Sequence, residues 1–140
     1  GRERNALNLI PIAMEVAAGI REKMQVFGDN YDTHDGTGVR DYIHVSDLAI
    51  AHMKALNYIS ENDKDLLVNL ATGEGHSVLD VINKSKEVSG KDIPFDIVGR
   101  RAGDPATVVA VSNRANKVLD WSTKYSDLDT LIRTSWDVYK

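Results

Sequence analysis

The residues best suited to binding chemistry in this chain are Arg40, which follows the bend Gly36-Thr37-Gly38, and the pair Arg100-Arg101, which precedes Gly103-Asp104. A guanidinium presents a planar fork of N–H donors that matches the oxygens of a phosphate. Two such forks on separate loops, Arg40 and Arg101, can clamp a diphosphate from either side. Asp104 can then accept hydrogen bonds from the vicinal hydroxyls of a ribose. Phe27, closing the run Gln25-Val26-Phe27, can offer a flat face to a base. Taken singly, each residue has a plainer reading, because surface arginines are common and a phenylalanine is ordinarily core.

Other chemistries fit less well. Gly73-Glu74-Gly75 follows a strand pattern and precedes a helix pattern, as a dinucleotide loop does, but the third glycine is replaced by Val78. A tight turn in which a Cβ would not fit accounts for the pair. Gly36-Thr37-Gly38 lacks the Gly-Lys-Ser/Thr of a P-loop. His34, His44, His52 and His76 form no pair at metal-ligand spacing, and the chain has no cysteine. They read as surface or capping residues. There is no Gly-x-Ser-x-Gly elbow and no Tyr-x-x-x-Lys pair. The sequence therefore assigns no catalytic residue and no metal ligand.

These residues must be positioned by one domain spanning 1–140. A chain of 140 residues, 42% hydrophobic and 27% charged, is long enough to bury a core without disulfide or metal. A formal charge of −4 argues against a nucleic-acid surface. No apolar run approaches the ~20 residues of a membrane span. With no cysteine to suggest an oxidising compartment, the expected setting is cytoplasmic. The chain opens "GRERNALNLIP" without Met, and the expectation is that it is the cut edge of a longer protein.

The elements alternate. "NLIPIAMEVAAGI" spaces Leu9, Ile12, Ala13, Val16 and Ile20 as a helix, with Pro11 confined to the first turn. "QVFG" predicts a short strand, then a polar loop from Asp29 to Gly38. "DYIHV" predicts a strand, with Ser46 capping a helix that turns Leu48, Met53, Leu56 and Ile59 inward. "LLVNLA" reads as a strand buried on both faces. Ser77-Val-Leu-Asp80 has capping-box form, starting a helix that stops near Gly90. "IPFDIV" and "ATVVAV" are further strands, Asn113 opens a helix to Leu119, and Ser126-Asp-Leu-Asp129 caps a last helix striped by Leu128, Leu131, Ile132 and Trp136. The fold class is α/β: a small mixed sheet with flanking helices. The helix from Ser46 and the "LLVNLA" strand look built to pack on another layer, so the isolated chain is expected to self-associate.

"FGDNYDTHDGTGVRDYIHVSDLAIAH" resembles the signature segment of bacterial UDP-galactose 4-epimerases, members of the extended short-chain dehydrogenase/reductase superfamily. The similarity continues through "NLIP", "VAAG", "VNLATGEGHSVLDVI", "RRAGDPA" and "VLDW" across nearly the whole chain. Dehydratases and decarboxylases of the superfamily carry a shorter loop where this chain has "YDTHDGT". The resemblance implies the C-terminal, substrate-binding part of such an enzyme. The glycine-rich NAD loop and the Tyr-x-x-x-Lys pair would belong to an N-terminal domain absent here, so no cofactor is expected on this chain alone.

Carried over position by position, the resemblance assigns Asn8 and Leu9 to the phosphate and uracil region, Phe27 to the uracil, Arg40 and Arg101 to the diphosphate, and Asp104 to the ribose. Thr107 and Val108 fall near the sugar pocket, where small residues imply room for an N-acetyl group. Asp41, Tyr42, His44 and Asp47 are expected to be structural. Val111 and Asp120 depart from the family pattern, the latter replacing the glycine of "LGW". A UDP-sugar, the NAD-binding domain and a second copy in a homo-oligomer are the implied partners. The alternatives are the matching half of a dehydratase or decarboxylase, and a non-catalytic nucleotide-sugar-binding or oligomerisation module.

Overall fold

A computed structural model describes residues 5–140. Five helices and five short strands follow in the order α1 (Leu9–Ala17), β1 (Met24–Phe27), β2 (Val39–Arg40), α2 (Val45–Asn62), β3 (His76–Ser77), α3 (Val78–Ser89), β4 (Phe95–Val98), β5 (Thr107–Val108), α4 (Asn113–Leu119) and α5 (Leu128–Trp136). The strands make two small sheets. β1 and β4 pair in parallel, with Met24 opposite Phe95 and Phe27 opposite Val98. In the other sheet β2 lies between β3, antiparallel to it, and β5, parallel to it. The expected small mixed sheet with flanking helices is thus split in two.

The main core gathers Ala13, Met14, Val16 and Ala17 of α1, Met24 and Val26 of β1, Val81 and Ile82 of α3, Ile93, Ile132 and Tyr139. Period-two alternation explains β1: Met24 and Val26 are buried while Gln25 between them is exposed. α3 begins as predicted. Ser77 Oγ accepts from Asp80 N at 2.9 Å, Asp80 Oδ2 accepts from Ser77 N at 2.8 Å, and Gly90 ends the helix at φ 65°. A second cluster joins Ala51 of α2 to Ala115, Leu119 and Trp121.

Several expectations on α2 and its neighbours need correction. Only Val39–Arg40 enters a ladder; Asp41 to His44 lie outside any strand, and the helix starts at Val45. The cap is the ring of His44, whose Nδ1 accepts from Ser46 N at 3.0 Å, rather than the Ser46 hydroxyl. Met53, Leu56 and Ile59 face outward, 60%, 59% and 44% exposed, and Leu48 is half-buried. The packed stripe is instead Asp47, Ala51, Ala55 and Tyr58, about one helical turn apart. "LLVNLA" forms no strand. Leu66, Val68 and Leu70 are half-buried and Leu67 and Asn69 exposed, so the alternation is real, but among the described residues no backbone group of 64–70 is hydrogen-bonded. "ATVVAV" is reduced to Thr107–Val108. The cap of α5 is Asp127, whose carboxylate accepts from Thr130 N at 2.9 Å. The Ser126 hydroxyl is engaged by Asp47.

Candidate functional site

Four chain segments converge on one cleft of about 360 Å³. The first is the entry to α1. Buried Glu15 accepts from Ala6 N at 3.2 Å and from Arg21 Nη2 at 2.7 Å, and Arg21 Nη2 also reaches Ala6 O, which pins the chain just ahead of the helix. Burial alone would raise the Glu15 carboxyl, but the Arg21 and Ala6 donors hold it below the usual carboxylate range. Asn8 then occupies the N-cap position in extended backbone without using its side chain as a cap. Asn8, Leu9 and Ile12 line the cleft, so an α1 N-terminus without acidic residues in its first turn faces the same space as the arginines. Backbone N–H groups at such an end favour an anion.

The second segment is β1, contributing Met24, Gln25 and Phe27. Phe27 does not stand open: the Arg101 guanidinium lies over its ring, 3.7 Å from the centroid. Gln25 shares the Phe27 face of the strand, two residues away.

The third is the loop that leads from β1 to β2 and presents Arg40 and Tyr42. It is held from within. Asp35 Oδ1 accepts from Thr37 N at 2.9 Å and from Thr37 Oγ1 at 2.8 Å, Thr33 Oγ1 donates to Thr37 O at 2.7 Å, and Tyr31 N donates to Gly36 O at 2.9 Å. Gly36 is required there, since at φ 83° an added Cβ would stand 2.0 Å from Asp29 O. The Ser77 hydroxyl donates to Asp35 Oδ2, fixing the loop to the start of α3. Arg40 curls back over Gly38. Its Nη1 donates to Val39 O at 2.7 Å and Ala106 O at 3.5 Å, and its Nη2 to Asp104 Oδ1 at 2.5 Å and Pro105 O at 2.9 Å. Burial pushes the Tyr42 phenol up to about 12, so it stays a neutral donor at physiological pH.

The fourth segment carries Arg101 and Asp104 between β4 and β5. Its neighbour Arg100 turns away, donating from Nε to Asn30 Oδ1 at 2.7 Å and lying 4.0 Å from the Tyr31 ring centroid. The two adjacent arginines therefore divide their work: Arg100 ties down the loop, and Arg101 faces the cleft. Among the described residues Arg101 has no carboxylate within ion-pair distance.

The structure thus brings together Asn8, Leu9, Phe27, Arg40, Arg101 and Asp104, all lining the cleft. Thr107 and Val108 form β5 and lie outside that lining. Gln25, Tyr31 and Ile12 join the lining without having been selected as site residues from the sequence, and Tyr42, expected to be structural, joins it too. The signal for Gln25 and Tyr42 was available, since each stands two residues from a selected neighbour, Phe27 or Arg40. His34 also gains carboxylate neighbours that spacing did not suggest, 3.2 Å from Asp80 and 3.5 Å from Asp35. Both carboxylates already serve the local fold, Asp35 in the loop and Asp80 in the α3 cap.

Residues 2–134 match the family model described as GDP-mannose 4,6 dehydratase. UDP-glucose 4-epimerase of Lacticaseibacillus casei is 44% identical over 130 residues, covering 93% of this chain and 39% of that protein. The crystal structure of UDP-glucose-4-epimerase from Stenotrophomonas maltophila, with bound NAD and formylated UDP-arabinopyranose, superposes with a TM-score of 0.93 at 44% identity, covering 98% of this chain and 40% of that one. The UDP-Glc/GlcNAc 4-epimerase of Campylobacter jejuni gives a TM-score of 0.86 at 41% identity, covering 99% and 42%. The chain spans about 40% of the length of these three relatives. No helix among the described residues is long and apolar enough to cross a membrane.

Proposed function

The chain belongs to the GDP-mannose 4,6 dehydratase family within the extended short-chain dehydrogenase/reductases, and from that premise we propose that it is the UDP-sugar-binding, C-terminal part of a cytoplasmic UDP-glucose 4-epimerase. The observation that carries this reading is the convergence of Asn8, Leu9, Phe27, Arg40, Arg101 and Asp104 on one cleft. Two guanidiniums and a helix N-terminus there suit a diphosphate, the Phe27 ring suits a pyrimidine, and Asp104 suits a ribose diol. The relatives from Lacticaseibacillus casei, Streptococcus mutans and Corynebacterium glutamicum carry the name UDP-glucose 4-epimerase, which supports this reading over a dehydratase or decarboxylase.

In the intact enzyme the reacting hexose would lie beyond the diphosphate. The N-terminal domain would hold NAD, which would supply reversible hydride chemistry at C4 of the hexose. The residues of this chain bind the part of the substrate that does not react. Gripping the UDP handle firmly spends binding energy on placing C4, while leaving the hexose loosely held allows it to turn over between the two hydride transfers. Acceptance of N-acetylhexoses through small residues at Thr107 and Val108 is part of the same proposal, and turnover of UDP-GalNAc by the intact enzyme tests it.

The N-terminal domain would dock on the outward stripe Met53, Leu56 and Ile59 of α2 and on the unpaired backbone of 64–70. A segment with alternating burial and no hydrogen-bonded neighbour among the described residues has the pattern of a strand waiting for a sheet. Titration calorimetry of the chain with UDP tests the binding reading. Binding is expected to weaken at least tenfold in both Arg40→Ala and Arg101→Ala, and unchanged affinity in either would remove that arginine from the site.

A further inference from the structure

Arg40 is not free to receive a phosphate as it stands. A guanidinium has five N–H donors, and the two on Nη1 and the two on Nη2 are directed at Val39 O, Ala106 O, Asp104 Oδ1 and Pro105 O. The Asp104 carboxylate neutralises its charge at 2.5 Å, with the two side chains only 28% and 37% exposed. Asp104 is equally committed, because the oxygen it gives to Arg40 is one of the two that bidentate recognition of a diol needs. The two groups that would hold the two ends of a nucleoside diphosphate therefore hold each other.

We propose that Asp104 is an internal competitor for Arg40, so that the cleft selects ligands carrying a diphosphate and a vicinal diol together over ligands carrying either alone. This rests on the nucleotide reading of the cleft and deepens it. A diphosphate that takes the Nη2 donors of Arg40 releases Asp104, and the released carboxylate regains both oxygens for the ribose. An isolated anion must break the ion pair without compensation at Asp104. An isolated nucleoside meets a carboxylate with one oxygen engaged. Binding at the two subsites is thus positively coupled, and coupling between sites is reciprocal.

The test uses the 140-residue chain and its Asp104→Asn variant with three probes: UDP, inorganic pyrophosphate and uridine. In the unaltered chain, saturating pyrophosphate is expected to raise uridine affinity about three- to fivefold, the upper part of what an exposed ion pair contributes. In Asp104→Asn that coupling disappears, pyrophosphate alone binds about three- to fivefold tighter, and UDP binds about tenfold more weakly through loss of a charged acceptor. A gain in pyrophosphate affinity with no coupling to uridine in the unaltered chain would mean that Asp104 acts only as a repelling charge, which overturns the proposal. UDP binding with pyrophosphate and uridine independent also overturns it, yet leaves the nucleotide reading standing. Absence of UDP binding with folding intact, by circular dichroism, overturns the nucleotide reading and the competition with it.

Discussion

Replacing Asp47 with Asn is expected to cost this small fold much of its stability, and the reason is visible atom by atom. Asp47 is fully buried at the start of α2. Its Oδ1 accepts from Lys124 N at 2.9 Å, and its Oδ2 from Tyr125 N at 2.9 Å and Ser126 Oγ at 2.6 Å. Its backbone carbonyl accepts from Trp121 Nε1 at 3.0 Å, and the Ser126 hydroxyl in turn accepts from His44 N at 2.9 Å. One carboxylate thereby joins the start of α2 to the segment between α4 and α5. An asparagine keeps one oxygen and sets an amide donor where the other stood, so at least one buried N–H faces another donor. Hydrogen bonds to a charged group contribute about 1.5–3 kcal/mol each, and an orphaned buried donor adds its desolvation cost. A loss of about 3 kcal/mol follows, which lowers Tm by about 10 °C in a domain of this size.

The pH dependence gives the same argument a second, independent reading. Burial raises the Asp47 carboxyl, but the Ser126 hydroxyl and the Lys124 and Tyr125 N–H groups together outweigh it and leave the group below its usual value. A carboxylate with a depressed folded-state value stabilises fully above its unfolded value of about 4, and that contribution is lost as pH falls through the folded value. The stability gap between the parent chain and Asp47→Asn should therefore hold steady from pH 7 to about 5 and narrow below about 4. Urea unfolding followed by circular dichroism at pH 7, 5 and 3 measures it. Equal stability at pH 7, or a gap at pH 3 as wide as at pH 7, would refute the assignment of Asp47 as an ionised anchor.

Three other perturbations test the frame around the site and the exposed face of α2. An alanine at Gly75 would put Cβ 2.6 Å from Val39 Cγ1 and 2.7 Å from Val109 Cγ2, forcing the strand that presents Arg40 to shift; a loss of about 2 kcal/mol in urea unfolding is expected, with weaker UDP binding. Gly73→Ala meets no atom within 4 Å and suffers only from its φ of 78°, so a smaller loss of about 1 kcal/mol with UDP binding retained is expected, and the reverse order would contradict the packing. Leu56→Glu places a charge in the exposed stripe of α2, and sedimentation equilibrium should show less self-association than in the parent chain, whereas a parent chain that is monomeric at all concentrations would exclude that surface as adhesive.

Features settled within a few residues could be read from the sequence. The Ser77 and Asp80 partners stand three apart, Gly90 ends the helix they begin, and the stripe on α5 needs only the helical period. The cap of α2 was not legible, because Ser46 is the better local candidate and only the folded chain shows His44 bridging to Thr134 Oγ1 at 3.0 Å while its Nδ1 takes the Ser46 N–H. Ser126 was misread for a related reason: its hydroxyl is claimed by Asp47, a residue 79 positions away, leaving the cap of α5 to Asp127. In the cleft, residue type identified the arginines and Asp104, but not that they pair with each other, nor that adjacent Arg100 and Arg101 point to different tasks.

The strand pattern that failed at Leu66–Ala71 shares a cause with the outward stripe of α2. Period two records that a segment alternates between a covered and an open face, and it carries no information about which chain lies alongside. β1 forms because β4 supplies a parallel neighbour for each of its four residues. Residues 65–70 keep the alternation and have no such neighbour among the described residues, and an unpaired strand edge is a template for pairing with another chain. Met53, Leu56 and Ile59 were selected as core by their apolar type, and they are exposed on the helix that leads directly into that segment. The proposed docking of an N-terminal domain would cover this stripe and residues 64–70 together.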